Sequence, residues 1–190
     1  MLILFWNVRG LDLPSKKCLA KETINKGDTA IVCLQEAKLS HYSPSILRSI
    51  CGKNYQGHHA LEAVRSTGDL LTVWNLNETE GRPFHRGRFS LSTEFSLRNS
   101  ASKFIITNIY GPHDLLSHAE FFLKLHDLNR SIIMPWALIG DFNVTTFNSD
   151  RSSATKGTRS SQAFNDFIFM QGLLEINLTS RRFTWSNFRE

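Results

Sequence analysis

The stretch Pro135-Trp136-Ala137-Leu138-Ile139-Gly140-Asp141-Phe142-Asn143 constrains the fold of this chain most. An apolar run bounded by Pro and Gly has the length and flanks of a buried strand. Side chains alternate along a strand, so Asp141 and Asn143 share one face and Phe142 takes the other, toward the core. A buried strand ending in an acid and an amide holds both on a rigid support. An ordinary strand followed by an Asx-type turn has the same residue signature, and this stretch alone leaves both readings open.

The pattern recurs along the chain. Apolar runs at 2–6, 30–34 and 103–110 end in Asn7, Glu36 and Tyr110. Strands are also expected at 55–60, 68–74 and 182–185. In the run 88–97, Phe89, Leu91, Thr93, Phe95 and Leu97 fall on one face, which reads as a half-buried strand paired to 103–110 through a turn at 99–102. Helices are expected at 14–25, with Pro14 in the first turn, and from Ser43 or Ser45 to Ile50. A third carries the stripe Phe121, Phe122, Leu125 and Leu128. A fourth, over 160–171, carries Phe164, Phe167 and Ile168 and stops at Gly172. Residues 145–157 are polar and read as loop. Strands alternating with helices, with hairpins between, predict an α/β layered sandwich: two mixed β-sheets flanked by helices, one domain over 1–190.

A length of 190 residues allows a substantial core, and a net charge of +5 with a pI near 9.3 favours an anionic partner such as nucleic acid. The cysteines, Cys18, Cys33 and Cys51, are odd in number and widely spaced, as in a reduced intracellular protein. No run has the length of a membrane span or of a signal-peptide core. The expectation is a monomer with no membrane and no organic cofactor. Arg82, Arg86 and Arg88 cluster with His85; the cluster reads as a water-facing loop, with phosphate contact as the alternative. Arg151, Lys156 and Arg159 follow the Asp141 strand in polar sequence and are candidates for phosphate or DNA contact.

Carboxylate and amide oxygens at strand ends suit hard divalent cations. Taken in order, Trp6-Asn7-Val8-Arg9-Gly10-Leu11, Ile31-Val32-Cys33-Leu34-Gln35-Glu36, Asn108-Ile109-Tyr110-Gly111-Pro112 and Gly140-Asp141-Phe142-Asn143 resemble the endonuclease/exonuclease/phosphatase superfamily. Residues 136–143, Phe164-Asn165-Asp166-Phe167-Ile168 and Arg181-Arg182-Phe183-Thr184-Trp185-Ser186-Asn187 further resemble the endonuclease domain of plant LINE-type (non-LTR) retrotransposons. The resemblance implies a Mg²⁺-dependent phosphodiester hydrolase acting on DNA, with Mn²⁺ as a substitute ion and the nucleus as its place of action. It implies Glu36 and Asn7 at the metal and Tyr110 near the scissile phosphate or leaving group. Asp141 would handle the nucleophile or leaving-group proton, and Asn143 would orient the nucleophile and donate to a phosphate oxygen.

Two departures qualify this expectation. Arg9 stands where some members carry an aspartate. The family's final Ser-Asp-His motif is absent from the sequence, which predicts a C-terminally truncated sandwich missing its last strands, with impaired activity. Of the seven histidines, His113 lies nearest the expected site but reads as a surface-loop residue, and His118 and His126 read as lying on the wet face of their helix. The alternatives are a small-molecule phosphoesterase of the same superfamily, or a non-catalytic remnant that at most binds nucleic acid.

Overall fold

A computed structural model describes residues 1–39, 41–62, 68–146 and 159–176. It contains β1 (Ile3–Asn7), α1 (Pro14–Lys26), β2 (Ile31–Gln35), α2 (Pro44–Cys51), β3 (Tyr55–Leu61), β4 (Leu70–Asn75), β5 (Thr79–Arg86), β6 (Ser90–Leu97), β7 (Lys103–Tyr110), α3 (Leu115–Asn129), β8 (Trp136–Asp141) and α4 (Arg159–Gln171). The strands form two four-stranded sheets, ordered β1-β2-β4-β3 and β5-β6-β7-β8. Both are mixed: β1–β2 and β7–β8 are parallel and the other pairs antiparallel. The expected sandwich is the observed one.

Side-chain parity assigns each layer. In β2, Val32 and Leu34 join Ala20, Ile24, Leu47 and Ile50 of α1 and α2, while Ile31 and Cys33 face the second sheet. Both faces are therefore covered, and the apolar residues of β2 are fully buried. In β7, Ile109 packs under Phe121, Phe122, Leu125 and Phe167 of α3 and α4, and Ile106 faces the first sheet. Between the sheets, Phe95 meets the Trp74 ring edge-on with centroids 5.4 Å apart. The Trp74 indole lies against Gly57 and Gly81, where an added Cβ would come within 2.1 and 2.5 Å of it.

Helix ends follow local chemistry. Ser43 is the N-cap of α2, its hydroxyl accepting from Ile46 N, and Asp114 caps α3 by accepting from Ser117 N. Gly172, at φ +62°, ends α4.

The structure corrects several expectations. β8 is an edge strand among the described residues, half-buried throughout rather than buried. The Arg82–Arg86 segment is strand β5, exposed along most of its length and an edge of the second sheet among the described residues, and not a loop. Pro83 is tolerated there because the strand is an edge and its register shifts between Pro83 and His85. His118 is 2% exposed, not wet, and His126 is half-buried against Gln171. The strand expected at 182–185 lies outside the described residues. None of the described helices is long and apolar enough to cross a membrane.

Candidate active site

Parity also builds the site. Asn7, Gln35, Asn108, Tyr110 and Asp141 are inward-facing positions at or near the ends of β1, β2, β7 and β8, in registers that pair Asn7 with Gln35 and Tyr110 with Asp141. The two sheets therefore deliver polar groups from opposite sides to one rim. Asn7 Nδ2 donates to Glu36 Oε1 at 2.8 Å and reaches Asp141 Oδ2 at 3.5 Å. One amide thus bridges a carboxylate from each sheet. The Tyr110 ring is 6% exposed, and its hydroxyl lies within hydrogen-bonding reach of Glu36.

The backbone is bent into uncommon conformations to achieve this. Of the five non-glycine residues at positive φ among the described residues, Arg9, Glu36, Lys38 and Asn143 lie in the loops that carry the site, with φ between 49° and 55°. For a residue such as Glu36 this conformation is strained, and surrounding bonds must hold it. Glu36 N donates to Asp69 O at 3.0 Å, and Gly10 N donates to Glu36 O at 2.6 Å. The buried Asp69 carboxylate accepts from Lys38 N through both oxygens at 3.0 Å and from the Tyr42 hydroxyl. Burial first, and then that bond, push the Tyr42 phenol far up.

Asn143 lies beyond the end of β8 rather than on it. Its backbone N donates to Asp141 Oδ1 at 2.9 Å, so the Asx-type turn and the site coexist. Its Nδ2 donates to Gly111 O at 2.7 Å, leaving the second amide N–H for a ligand. Gly140 makes the close β7–β8 approach possible: at φ +140° an added Cβ would sit 2.1 Å from Ile109 O. Phe142 packs on Phe121 and Phe164, as its strand face predicts.

Burial by itself would raise the Glu36 carboxyl, but hydrogen bonds from Asn7 and Tyr110 and the Lys38 charge, 3.5 Å away, outweigh it and lower the pKa. Burial first, and then Glu36 and Asp141, push the Tyr110 phenol above the ordinary tyrosine range. Glu36 is thus held as an anion and Tyr110 as a neutral hydroxyl. No cluster of three or more His, Cys, Asp or Glu side chains positioned for a metal occurs among the described residues. The donor set of one carboxylate with a lowered pKa, a second carboxylate and an amide still fits a hard cation that keeps most of its water, as Mg²⁺ does.

Asn7, Glu36, Tyr110, Asp141 and Asn143 lie together at this rim. Arg151 and Lys156 lie outside the described residues, and Arg159 is the exposed first residue of α4. Sequence reading missed Gln35 and Asn108, which join the sheets beneath the site. Gln35 Nε2 donates to Asn108 Oδ1 at 2.6 Å, and Asn108 Nδ2 lies 3.2 Å from Leu34 O, 3.2 Å from Leu71 O and 3.4 Å from Thr72 Oγ1. It also missed Asp69, whose placement depends on a loop conformation with no local signature. The signal for Gln35 and Asn108 was present: a polar residue on the inner face of an otherwise apolar strand needs a partner across the interface.

Solved structures share this architecture. AP endonuclease LMAP from Leishmania major aligns with a TM-score of 0.65 at 18% identity over 89% of this chain and 66% of that one. The endonuclease domain of TRAS1, a telomere-specific non-LTR retrotransposon, gives 0.63 at 11% identity over 90% and 71%. An AP endonuclease from Archaeoglobus fulgidus gives 0.64 at 16% over 90% and 71%. The chain spans roughly two thirds of the length of these structures. At such identities the likeness concerns the fold. The sequence carries the closer relationship: a family model matches residues 4–189, taking in both sheets and every strand end at the rim, and the chain belongs to the Endonuclease/Exonuclease/phosphatase family.

Proposed function

We propose that this chain is a divalent-metal-dependent phosphodiester hydrolase acting on DNA, of the retrotransposon-endonuclease type and related to plant LINE elements. The observation that carries the reading is the Asn7 bridge between Glu36 and Asp141, with Tyr110 and Asn143 on the same rim. A phosphodiester needs charge neutralisation, an in-line water and assistance to the departing oxygen, and this rim holds groups suited to each. The net charge of +5 favours a polyanionic substrate over a small phosphate ester.

In this reading Glu36 and Asn7 hold Mg²⁺ or Mn²⁺, which when bound neutralises phosphate charge and makes a coordinated water more acidic. Asp141, fixed through its Oδ1 by Asn143 N, handles the nucleophile or leaving-group proton at Oδ2. Tyr110 stays protonated and donates to a phosphate or leaving-group oxygen. Asn143 orients the nucleophile with its remaining amide N–H. Arg151, Lys156 and Arg159 supply sequence-independent phosphate contacts.

Nicking of supercoiled plasmid with Mg²⁺ tests the reading. The protein is expected to nick, and Asp141→Ala and Glu36→Gln are each expected to slow nicking by roughly 10²–10⁴-fold without loss of the folded circular-dichroism spectrum. Equal rates for wild type and Asp141→Ala would sink the assignment. Hydrolysis of an inositol polyphosphate in place of plasmid would move it to small phosphate esters.

A further inference from the structure

We propose that His113 is a positioning residue for Tyr110, donating from Nε2 to the phenol oxygen and so aiming the phenol proton into the site. This rests on the functional reading above and extends it to a residue outside the expected set.

His113 Nε2 lies 2.7 Å from the Tyr110 hydroxyl, with the rings edge-on at 79° and centroids 5.4 Å apart. A phenol has one proton to give and can also accept. An ionised carboxylate only accepts, and Glu36, whose side chain lies with the Tyr110 ring against Gly68, faces the same hydroxyl. Hydrogen bonds to charged acceptors are the stronger ones, so the phenol proton goes to Glu36. The bond to His113 must then run the other way, with the imidazole as donor. Donation into the phenol oxygen polarises the O–H and strengthens what it gives. When a phosphate oxygen arrives on the Glu36 side, the proton already points at it. Without His113 the O–H loses that polarisation, and the bond it gives is weaker.

The loop is built to hold this arrangement. Gly111 N donates to Asp141 O at 2.7 Å, which pins the residue after Tyr110 to β8. The buried His118 ring lies 2.9 Å through Nε2 from Pro112 O and 2.8 Å through Nδ1 from Ser160 Oγ. The carbonyl directly before His113 is thereby strapped to α3 and α4. A surface-exposed histidine with no role would not require such a strap, and its substitution does not threaten the core.

The full chain serves for both arms of the test. In long-range ¹H–¹⁵N NMR at pH 8, His113, assigned by its disappearance in His113→Gln, is expected as the Nε2–H tautomer, with its Nε2 signal shifting in Tyr110→Phe. An Nδ1–H tautomer, or no response to Tyr110→Phe, overturns the proposal whether or not the protein turns over. In single-turnover nicking of a fluorescent duplex with Mg²⁺, His113→Ala is expected to lower the maximal rate about 3–10-fold with half-saturation unchanged. His113→Gln, which keeps a donor at similar reach, should recover most of the rate. The double variant His113→Ala/Tyr110→Phe should be no slower than Tyr110→Phe alone. A wild-type rate for His113→Ala, or losses that multiply in full, overturns it. Absence of nicking by the unsubstituted protein would refute the nuclease reading and leave the tautomer to decide this one.

Discussion

The two ends of the layer between the sheets are built on different principles. At the end away from the site, Ile31, Cys33, Trp74, Phe95 and Ile106 meet mainly by side-chain packing, and Trp74 Nε1 is buried without a hydrogen-bond partner. At the site end, Gln35 and Asn108 satisfy each other and three acceptors of the first sheet. Apolar contacts are non-directional and tolerate small shifts in spacing. Hydrogen bonds weaken steeply when lengthened or bent. The sheets are thus held at a fixed separation where Glu36 from one must meet Tyr110 and Asp141 from the other, and are simply packed together where Trp74 meets Phe95.

Asn108→Leu should break this contrast most severely. It takes from Gln35 Nε2 its 2.6 Å acceptor, leaving the longer bond to Cys33 O at 3.3 Å, and removes the donor to the Leu34 and Leu71 carbonyls, at a cost of about 3–5 kcal/mol in urea unfolding. Plasmid nicking should fall by at least roughly tenfold under conditions where the variant is still folded.

Acid should come next, acting through a second polar link between the sheets. His59, 2% exposed, lies 3.1 Å through Nδ1 from Thr93 Oγ1 and accepts at Nε2 from Arg86 Nε at 2.9 Å. Burial first, and then the Arg86 charge, bring its pKa down to about 4 from 6.5. The unfolded chain therefore takes up a proton that the folded chain refuses. Stability is expected to fall as pH drops from about 6.5 to about 4, by at most about 3 kcal/mol. His59→Leu should flatten that dependence in thermal melts across the same window. An unchanged slope would mean that other groups cause it.

The smallest effect is expected at the apolar end. Phe95→Leu should cost about 1–2 kcal/mol and leave the nicking rate within about twofold. A rate loss as large as that of Asn108→Leu would erase the distinction between the two ends.

The same contrast explains what was legible in the sequence. Strands β1, β2, β7 and β8 announced themselves because both their faces are apolar, and their polar ends marked Asn7, Glu36, Tyr110 and Asp141. Strand β5 did not, because an edge exposed along most of its length has no apolar period to show. His118 was misplaced although its spacing to Phe122 and Leu125 puts it on the buried stripe; residue type was allowed to outweigh position. The positive φ of Glu36 was not readable at all, since it is held by bonds to Asp69 and Gly10, both distant in sequence. Local pattern reveals which residues a strand carries to its end. It does not reveal the tertiary bonds that aim them.

The bridge from Asn7 to Asp141 closes a loop of 134 residues. Closing so long a loop costs entropy that only the docked sheets repay, so the site cannot form from either half of the chain alone. During synthesis, Asn7 emerges early and waits for β8 before its second partner exists. Under the proposed function, nicking is accordingly a readout of complete sheet docking, and it should appear in refolding no earlier than the slowest step that brings β1 and β8 together.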